Sequence, residues 1–281
     1  MRPKNADRRR WICSALALAA LPSGSARAAD APLRLALAPF LSPSALLMAF
    51  KPLREHLQRE LGRSVEMSTA KDFASLVDAA RQDGLYDVVQ LPAHLARLAM
   101  IDWKFRLVAA PDEAVQVVVA VKGDGPVRTA AMLKGQAVGM LDALSLTATV
   151  GRRWLQEQGL AAEVRIVALP SINSAMFALA SGEVAAIVAA DTQLAALPAS
   201  TPRGERVLTR IGGITAPIYV AAPHLPDADL GALRAAMASF MPDAARLGTV
   251  ANSRLRLLSP AQLSALDPLA ALARQALATP R

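Results

Sequence analysis

Residues 115–126, VQVVVAVKGDGP, decide the fold of this chain, because a long apolar run ends there in an abrupt turn. A near-continuous apolar run over 115–121 is typical of a strand buried on both faces of a parallel sheet. The Lys-Gly-Asp-Gly-Pro sequence that follows breaks the chain sharply. We therefore place the first boundary between two lobes after Val121.

Before this boundary, short apolar runs alternate with helical periodicity. Strands are predicted at 33–38, 65–69 and 87–90, with helices between them at 46–61 and 72–84. Pro52 lies inside the first helix and predicts a kink, and Asp72 has a side chain suited to cap the second helix. This alternation of strand and helix is typical of a parallel α/β sheet.

After the boundary, the same alternation begins again. We predict strands at 137–141, 164–167, 184–190 and 214–222, helices at 146–158 and 172–180, and a largely helical tail. If the strand at 115–121 leaves one lobe and the strand at 214–222 returns to it, the chain crosses between the lobes twice. The predicted fold class is therefore α/β with two lobes and two hinge crossings. Lobe 1 would contain residues 29–121 and 214–281, and lobe 2 residues 122–213.

Residues 1–28 have the order of a secretory signal peptide. Basic residues precede an apolar stretch at 11–21, and Ala26-Arg27-Ala28 provides a small-residue cleavage site. The apolar stretch is about half of the ~20 residues that span a bilayer, so we predict removal of the segment rather than a permanent membrane anchor. The arginines at 8–10 fit either a twin-arginine motif or an ordinary basic region. We expect the mature protein in the periplasm.

Removal of residues 1–28 would lower the net positive charge of the chain. The chain carries 31 Lys and Arg against 23 Asp and Glu, a formal net charge of +8. Residues 1–28 contain six of these basic residues and one acidic residue, so the mature chain keeps +3. Such a small excess, without a basic aromatic-laced motif, indicates no nucleic-acid partner.

The residue types that carry catalysis or bind metals are scarce in the mature chain. Cys13, the only cysteine, leaves with the signal segment, and the three histidines lack metal-ligand spacing. No Gly-x-Ser-x-Gly elbow, P-loop or local carboxylate pair indicates an enzyme. We therefore predict no metal site, no cofactor and no catalytic activity.

In an open α/β sheet, ligands bind beyond the carboxyl ends of the strands, where loops enter helices. Ser145, Leu146 and Thr147 are the first candidates, because N–H groups, hydroxyls and the dipole at a helix start bind an oxyanion without Lys or Arg. His94 would offer a partly charged imidazole. The other candidate ligand-binding residues are Ser42, Ser44, Thr69, Gln90 and Asn173. Helix capping is the alternative role for the hydroxyl residues, and a surface or capping position is the alternative for His94.

An ordered set of short motifs leads to a more specific expectation. The motifs are 53–57 (LREHL), 61–66 (LGRSVE), 69–73 (TAKDF), 86–92 (YDVVQLP), 133–135 (LKG), 142–147 (DALSLT) and 181–184 (SGEV). In this order, over residues 33–226, they resemble the periplasmic solute-binding proteins of phosphonate, phosphite and phosphate ABC transporters. The chain departs from the pattern at Ala148-Thr149, at His94-Leu95 and at Ala185. The first two departures lie where the family holds its ligand.

The resemblance implies a two-lobe periplasmic binding protein, a Venus flytrap, that captures a small oxyanion and delivers it to an ABC permease. The implied partners are a small anionic ligand and a permease or other membrane receptor, and we expect a monomer that is not inserted in the membrane. The alternative is a flytrap with a sensory or accessory role, which presents its ligand to a membrane receptor or assists assembly of a redox enzyme. Neighbouring genes for a permease and ATPase, or for a sensor kinase, would distinguish the two.

Overall fold

The computed structural model describes residues 31–40, 43–195, 197, 200–215, 217–243 and 251–278, so the predicted signal peptide lies outside the described chain. The strands are β1 (Leu33–Leu37), β2 (Val65–Thr69), β3 (Val88–Leu91), β4 (Arg106–Pro111), β5 (Ala114–Lys122), β6 (Ala137–Met140), β7 (Arg165–Ala168), β8 (Ala186–Ala190), β9 (Glu205–Thr215), β10 (Ile218–Ala221) and β11 (Leu255–Arg256). The helices are α1 (Pro43–Ala49), α2 (Lys51–Leu61), α3 (Phe73–Ala80), α4 (Ala93–Asp102), α5 (Leu146–Glu157), α6 (Ile172–Ser181), α7 (Asp191–Ala195), α8 (Asp227–Ala238), α9 (Pro260–Ser264) and α10 (Asp267–Ala278).

The first sheet, which defines lobe 1, has the strand order β11-β4-β10-β3-β1-β2. β1 is parallel to β2 and to β3, so the carboxyl ends of these three strands meet at one edge. β10 returns from the second sheet and runs antiparallel to both β3 and β4. The prediction of parallel sheets therefore holds only for part of the sheet, because the returning strand enters from the opposite end.

The second sheet, which defines lobe 2, has the order β7-β6-β8-β5-β9. β6 is parallel to β7 and β8, whereas β5 pairs antiparallel with β8 and with β9. The placement of residues 115–121 in lobe 1 is therefore wrong, since this strand lies between β8 and β9 in the sheet of lobe 2. One crossing between the sheets follows Pro111, and the other precedes Ile218.

The predicted helix at 46–61 is interrupted near Pro52, as the sequence indicates. α1 ends at Ala49 and α2 begins at Lys51, with Pro52 in its first turn, where proline is tolerated. α2 ends at Leu61 and is followed by the C-cap Gly62, whose φ of 63° is a left-handed conformation that glycine adopts at low cost. Asp72 caps α3, because its Oδ1 accepts the Ser75 N–H at 2.7 Å.

Helices cover both faces of each sheet and divide the apolar interior into three cores. One core lies between the first sheet and α1, α2 and α8, and another between the second sheet and α6 and α7. The third core joins the lobes, because it contains Leu76, Val89 and Leu95 of lobe 1 together with Ala148 and Val188 of lobe 2. The lobes therefore pack directly against each other.

The C-terminal helix α10 lies along this shared core. It packs on α4, where Arg97 pairs with Asp267 and Arg274 pairs with Asp102, each at 2.6 Å, and it also reaches α5 in lobe 2. Within the described ranges, no helix is both long and apolar enough to traverse a bilayer.

Candidate functional site

The first helix of interest, α5, begins at the lobe boundary with buried hydroxyl groups. Ser145 is the N-cap, and its Oγ accepts the Ala148 N–H at 3.1 Å and lies 3.2 Å from Thr147 Oγ1. The Thr149 hydroxyl donates to the Ser145 carbonyl at 3.0 Å. Ser145, Leu146 and Thr147 are all buried. The N–H groups of Leu146 and Thr147 have no acceptor within the helix, so this helix start presents buried donors and a positive dipole end.

The loop before α5 is fixed by a local turn. The Oδ1 atom of Asp142 accepts the Leu144 N–H at 2.7 Å, and the Ser145 N–H donates to the Asp142 carbonyl at 2.8 Å. This is the side-chain-to-backbone turn that Asp commonly forms two residues ahead. It holds Leu144 and Ser145 in one orientation at the lobe boundary.

The second helix of interest is α4 in lobe 1. Its N-cap is Pro92, which makes no side-chain capping bond, and the first N–H that finds a backbone acceptor is that of Ala96, bonded to the Pro92 carbonyl at 2.9 Å. Ala93, His94 and Leu95 are completely buried. The three N–H groups of this first turn have no intrahelical acceptor. A buried helix start without a capping side chain is suited to hold an anion.

His94 is the unusual side chain of this region. It is 0% exposed, and neither Nδ1 nor Nε2 has a hydrogen-bond partner. The ring approaches the backbone carbonyl of Leu144 in lobe 2 without completing a hydrogen bond. Burial lowers the pKa of His94 to about 4, against a smaller rise from the Leu144 carbonyl. The expectation of a partly charged imidazole is therefore wrong: His94 is neutral at pH 7.

Two other predicted residues make hydrogen bonds within lobe 1. Gln90 is completely buried in β3, where its Oε1 accepts the Ala38 N–H at 3.3 Å and its Nε2 donates to the Tyr219 hydroxyl at 2.9 Å. Thr69 donates its hydroxyl hydrogen to the Leu37 carbonyl at 2.9 Å. Both side chains fix the loop that follows β1, so the structure gives them a positioning role.

The remaining predicted residues lie away from the buried helix starts. Ser44 is exposed on α1, and Asn173 is exposed in the first turn of α6, where its Oδ1 accepts the Thr201 hydroxyl at 2.7 Å. Ser42 lies outside the described residues. The structure therefore brings His94, Ser145, Leu146 and Thr147 to one boundary and leaves Ser44 and Asn173 on the surface.

An open groove of ≈ 810 Å³ runs along the lobe boundary beside this site. Lobe 1 contributes Lys71 and Asp78, lobe 2 contributes Leu144 and Arg152, and α10 contributes Leu272. His94 does not line the groove, although Leu144 does, so the imidazole lies behind the groove wall. His94 is therefore inaccessible from the groove in this arrangement of the lobes.

Sequence reasoning missed two contributors to the site. Tyr219 is a single polar side chain in an apolar strand, and its hydroxyl anchors Gln90. The Asx turn at Asp142 has a local signal, an aspartate two residues before Leu144, which could have been found. No group of His, Cys, Asp or Glu in the described part of the chain has the arrangement of a metal site.

Several solved structures share this fold. A binding protein component of an ABC phosphonate transporter from Pseudomonas aeruginosa has a TM-score of 0.72 and 16% identity, with 87% of each chain covered. PhnD1 from Prochlorococcus marinus in complex with methylphosphonate has a TM-score of 0.71 and 12% identity, over 84% of this chain and 96% of that one. A Xanthomonas citri protein bound to chloride ion has a TM-score of 0.72 and 15% identity, over 88% and 98%.

The sequence itself gives a family match. No curated protein matches the chain. A family model described as "ABC transporter, phosphonate, periplasmic substrate-binding protein" matches residues 35–269, which is most of the chain. The match covers β1 through the start of α10 and includes both buried helix starts. The chain therefore belongs to the family of periplasmic substrate-binding proteins of phosphonate ABC transporters.

Proposed function

We propose that this protein captures a small phosphorus oxyanion, of the phosphonate, phosphite or phosphate type, between its lobes and delivers it to an ABC permease. Family membership supports the periplasmic solute-binding role, and a relative of the same fold is described in complex with methylphosphonate. The observation that carries the proposal is His94, a completely buried side chain with two unpartnered ring nitrogens beside two helix starts. Buried polar groups are normally hydrogen-bonded, and a ligand held between the lobes would supply the partner that His94 lacks.

The candidate site has no formal positive charge, but its electrostatics suit a small anion. The starts of α4 and α5 each present N–H groups and the positive end of a helix dipole. Ser145 and Thr147 add hydroxyl groups from lobe 2. Because these donors are buried, their interaction with an anion is stronger than in water. Donors from both lobes would then hold one ligand and keep the lobes together.

Capture requires motion of the lobes, because every one of these donors is buried in the closed arrangement. We take lobe 1 as residues 31–111 and 218–278 and lobe 2 as residues 114–215, which revises the predicted limits by the pairing of β5. The two crossings then act as the hinge. The closed, ligand-bound form would be the form that a permease recognises.

The test is thermal unfolding and calorimetric titration of the exported protein with methylphosphonate, phosphite and phosphate. A ligand present at a hundred times its dissociation constant adds about 2.7 kcal/mol to the free energy of unfolding. If no phosphorus oxyanion raises the melting temperature, the proposed ligand class is wrong. Stimulation of the ATPase of a co-reconstituted permease by the loaded protein would test delivery.

A matched pair of cap variants separates ligand binding from helix stability. Ser145→Ala and Ser171→Ala each remove an N-cap oxygen that accepts a backbone N–H at 3.1 Å. Each variant should lose about 1 kcal/mol of stability. Only Ser145→Ala should weaken binding, because Ser145 is buried at the lobe boundary whereas Ser171 is exposed. Equal binding by the two variants would contradict the assignment of the α5 start to the ligand site.

A further inference from the structure

We propose that His94 accepts a hydrogen bond from the O–H of a singly protonated phosphorus oxyanion, and that this bond selects phosphonates over sulfonates and sulfate. The inference rests on the proposed function and deepens it, because it names the protonation state of the ligand. It also assigns a role to a position at which the chain departs from its family pattern.

The tautomer of His94 follows from its surroundings. A neutral imidazole carries one N–H donor and one unprotonated acceptor nitrogen. One side of the ring approaches the Leu144 carbonyl, which can only accept a hydrogen bond. The carbonyl favours the proton on the nitrogen that faces it, which leaves the other nitrogen unprotonated and able to accept a hydrogen bond. That second nitrogen is also buried and also lacks a partner.

Several charged groups on the surrounding elements have partners of their own. Asp142 bonds the Leu144 N–H, Arg97 pairs with Asp267, and Asp102 pairs with Arg274. Tyr219 on β10 is bonded to Gln90, and Asp72, beside Lys71 in the loop before α3, caps its own helix. None of these groups contributes to the pKa of His94, which burial holds at about 4. No side chain among the described residues donates a hydrogen bond to the free nitrogen.

A buried acceptor nitrogen distinguishes between oxyanions of the same shape. A phosphonate with one remaining O–H supplies both the acceptor oxygens that the helix N–H groups need and a donor for His94. A sulfonate at neutral pH has only acceptor oxygens. Its binding would leave the acceptor nitrogen of His94 unpaired and bring its lone pair against a lone pair of a sulfonate oxygen. An unpaired buried polar group costs about 1–3 kcal/mol, which corresponds to roughly a 5- to 150-fold loss of affinity.

The experiment compares methylphosphonate with methanesulfonate, which are nearly equal in size. Calorimetry of the exported protein should show at least about fivefold tighter binding of methylphosphonate. Its affinity should fall as the pH rises through the second ionisation of the phosphonate. At a pH where the ligand is already singly protonated, titrations in buffers of different ionisation enthalpy should show no net proton uptake. Uptake of close to one proton there would mean that His94 becomes a cation, and would overturn the inference.

Variants connect this preference to His94 itself. His94→Phe removes the acceptor nitrogen, so the ratio of the two dissociation constants should fall towards one and the pH dependence should disappear. His94→Asn keeps an acceptor and a donor and should retain part of the ratio if the larger variant fails to fold. His56→Asn is the matched control, because His56 packs on Phe240 at 5.4 Å and bonds the Ala236 carbonyl on the outer side of lobe 1. That variant should leave the ratio unchanged.

The failures of the two proposals are distinguishable. If methylphosphonate binds but methanesulfonate binds as tightly, or if His94→Phe keeps the preference, the proposed hydrogen bond from the ligand O–H to His94 is wrong. The proposed capture of an oxyanion would still stand. If neither compound binds, the capture of phosphorus oxyanions fails and the inference fails with it.

Discussion

Substitution of Asp87 by Asn tests the charged cluster that ties three strands of lobe 1 together. The Asp87 carboxylate lies at the start of β3 and accepts three hydrogen bonds from Arg34 of β1: one from the backbone N–H at 2.8 Å, one from Nε at 3.2 Å and one from Nη2 at 2.8 Å. It also accepts a bond from His224 Nε2, just after β10, at 3.0 Å. Asn has the same shape but no charge and a single acceptor oxygen, so Asp87→Asn weakens most of these bonds at once.

The expected cost follows from the burial of the two partners. Breaking a buried ion pair from one side costs about 3–5 kcal/mol. The Asp87 side chain is only 12% exposed, but that of Arg34 is 39% exposed, so water replaces part of the lost interaction. Asn also keeps one acceptor for the Arg34 N–H. We expect a loss of about 2–3 kcal/mol, which moves the urea midpoint by roughly 1 M if the slope is about 3 kcal/mol/M.

The pH dependence gives a second measurement of the same cluster. Burial pushes the pKa of Asp87 upward, but the hydrogen bonds from Arg34 and His224 together hold it below the usual 3.8. Because the folded pKa is lower than the unfolded value, the carboxylate stabilises the protein above about pH 4, and this contribution is lost as the pH falls through the folded pKa. The difference between wild type and Asp87→Asn should therefore be constant near neutral pH and shrink below pH 4.

Asp102→Asn is the matched control for this experiment. Asp102 also makes two bonds to one arginine, Arg274, at 2.8 and 2.6 Å, but both side chains are on the surface. Exposed pairs contribute little to stability, so this variant should change the urea midpoint far less than Asp87→Asn does. Equal shifts for the two variants would refute the argument that burial, rather than bond count, determines the cost.

Two further predictions concern packing and buried polar contacts. Gly151→Ala would place a Cβ 2.9 and 3.0 Å from the Val188 methyl groups, so overpacking should outweigh the gain in helix propensity and lower the melting temperature. Gly231→Ala is the control: the new Cβ would have nothing within 4 Å, so this variant should gain about 0.5–1 kcal/mol of stability. Gln90→Leu should lower the free energy of unfolding more than Tyr219→Phe, because it leaves both the Ala38 N–H and the Tyr219 hydroxyl unpaired. In a double-mutant cycle measured by urea unfolding, the double variant should be less destabilised than the sum of the two single variants.

The α/β class with two lobes follows from the sequence, because apolar periodicity reports which residues are buried. It does not report which strand is the partner. Residues 117–121 are completely or almost completely buried, as predicted, yet they pair with β8 and β9 instead of closing lobe 1. Most of β9 was missed, and only its last two residues fall in the predicted strand at 214–222, since its Gly212-Gly213 pair is typical of a loop. Its pairing with β5 is a long-range contact that no local pattern encodes.

The candidate site also combines features that a local sequence pattern predicts with features that depend on long-range contacts. The caps at Ser145 and Asp72 were predictable, because an N-cap bond joins residues three apart. The protonation state of His94 was not predictable, because it depends on complete burial, which arises from tertiary packing. The sequence suggested a partly charged imidazole, whereas complete burial lowers the pKa of His94 to about 4.

A site built from neutral donors has a consequence for the empty protein. If a Lys or Arg were buried at the position of His94, closure without ligand would leave an unpaired cation out of water, which is far more costly than an unpaired dipole. Helix N–H groups, hydroxyls and a neutral imidazole can be buried together at a moderate cost. The energy gap between the empty closed form and the loaded closed form is then set by a few hydrogen bonds rather than by a full charge. The proposed capture and release need a gap of this smaller size, and the +3 net charge predicted for the chain without residues 1–28 has no direct part in it.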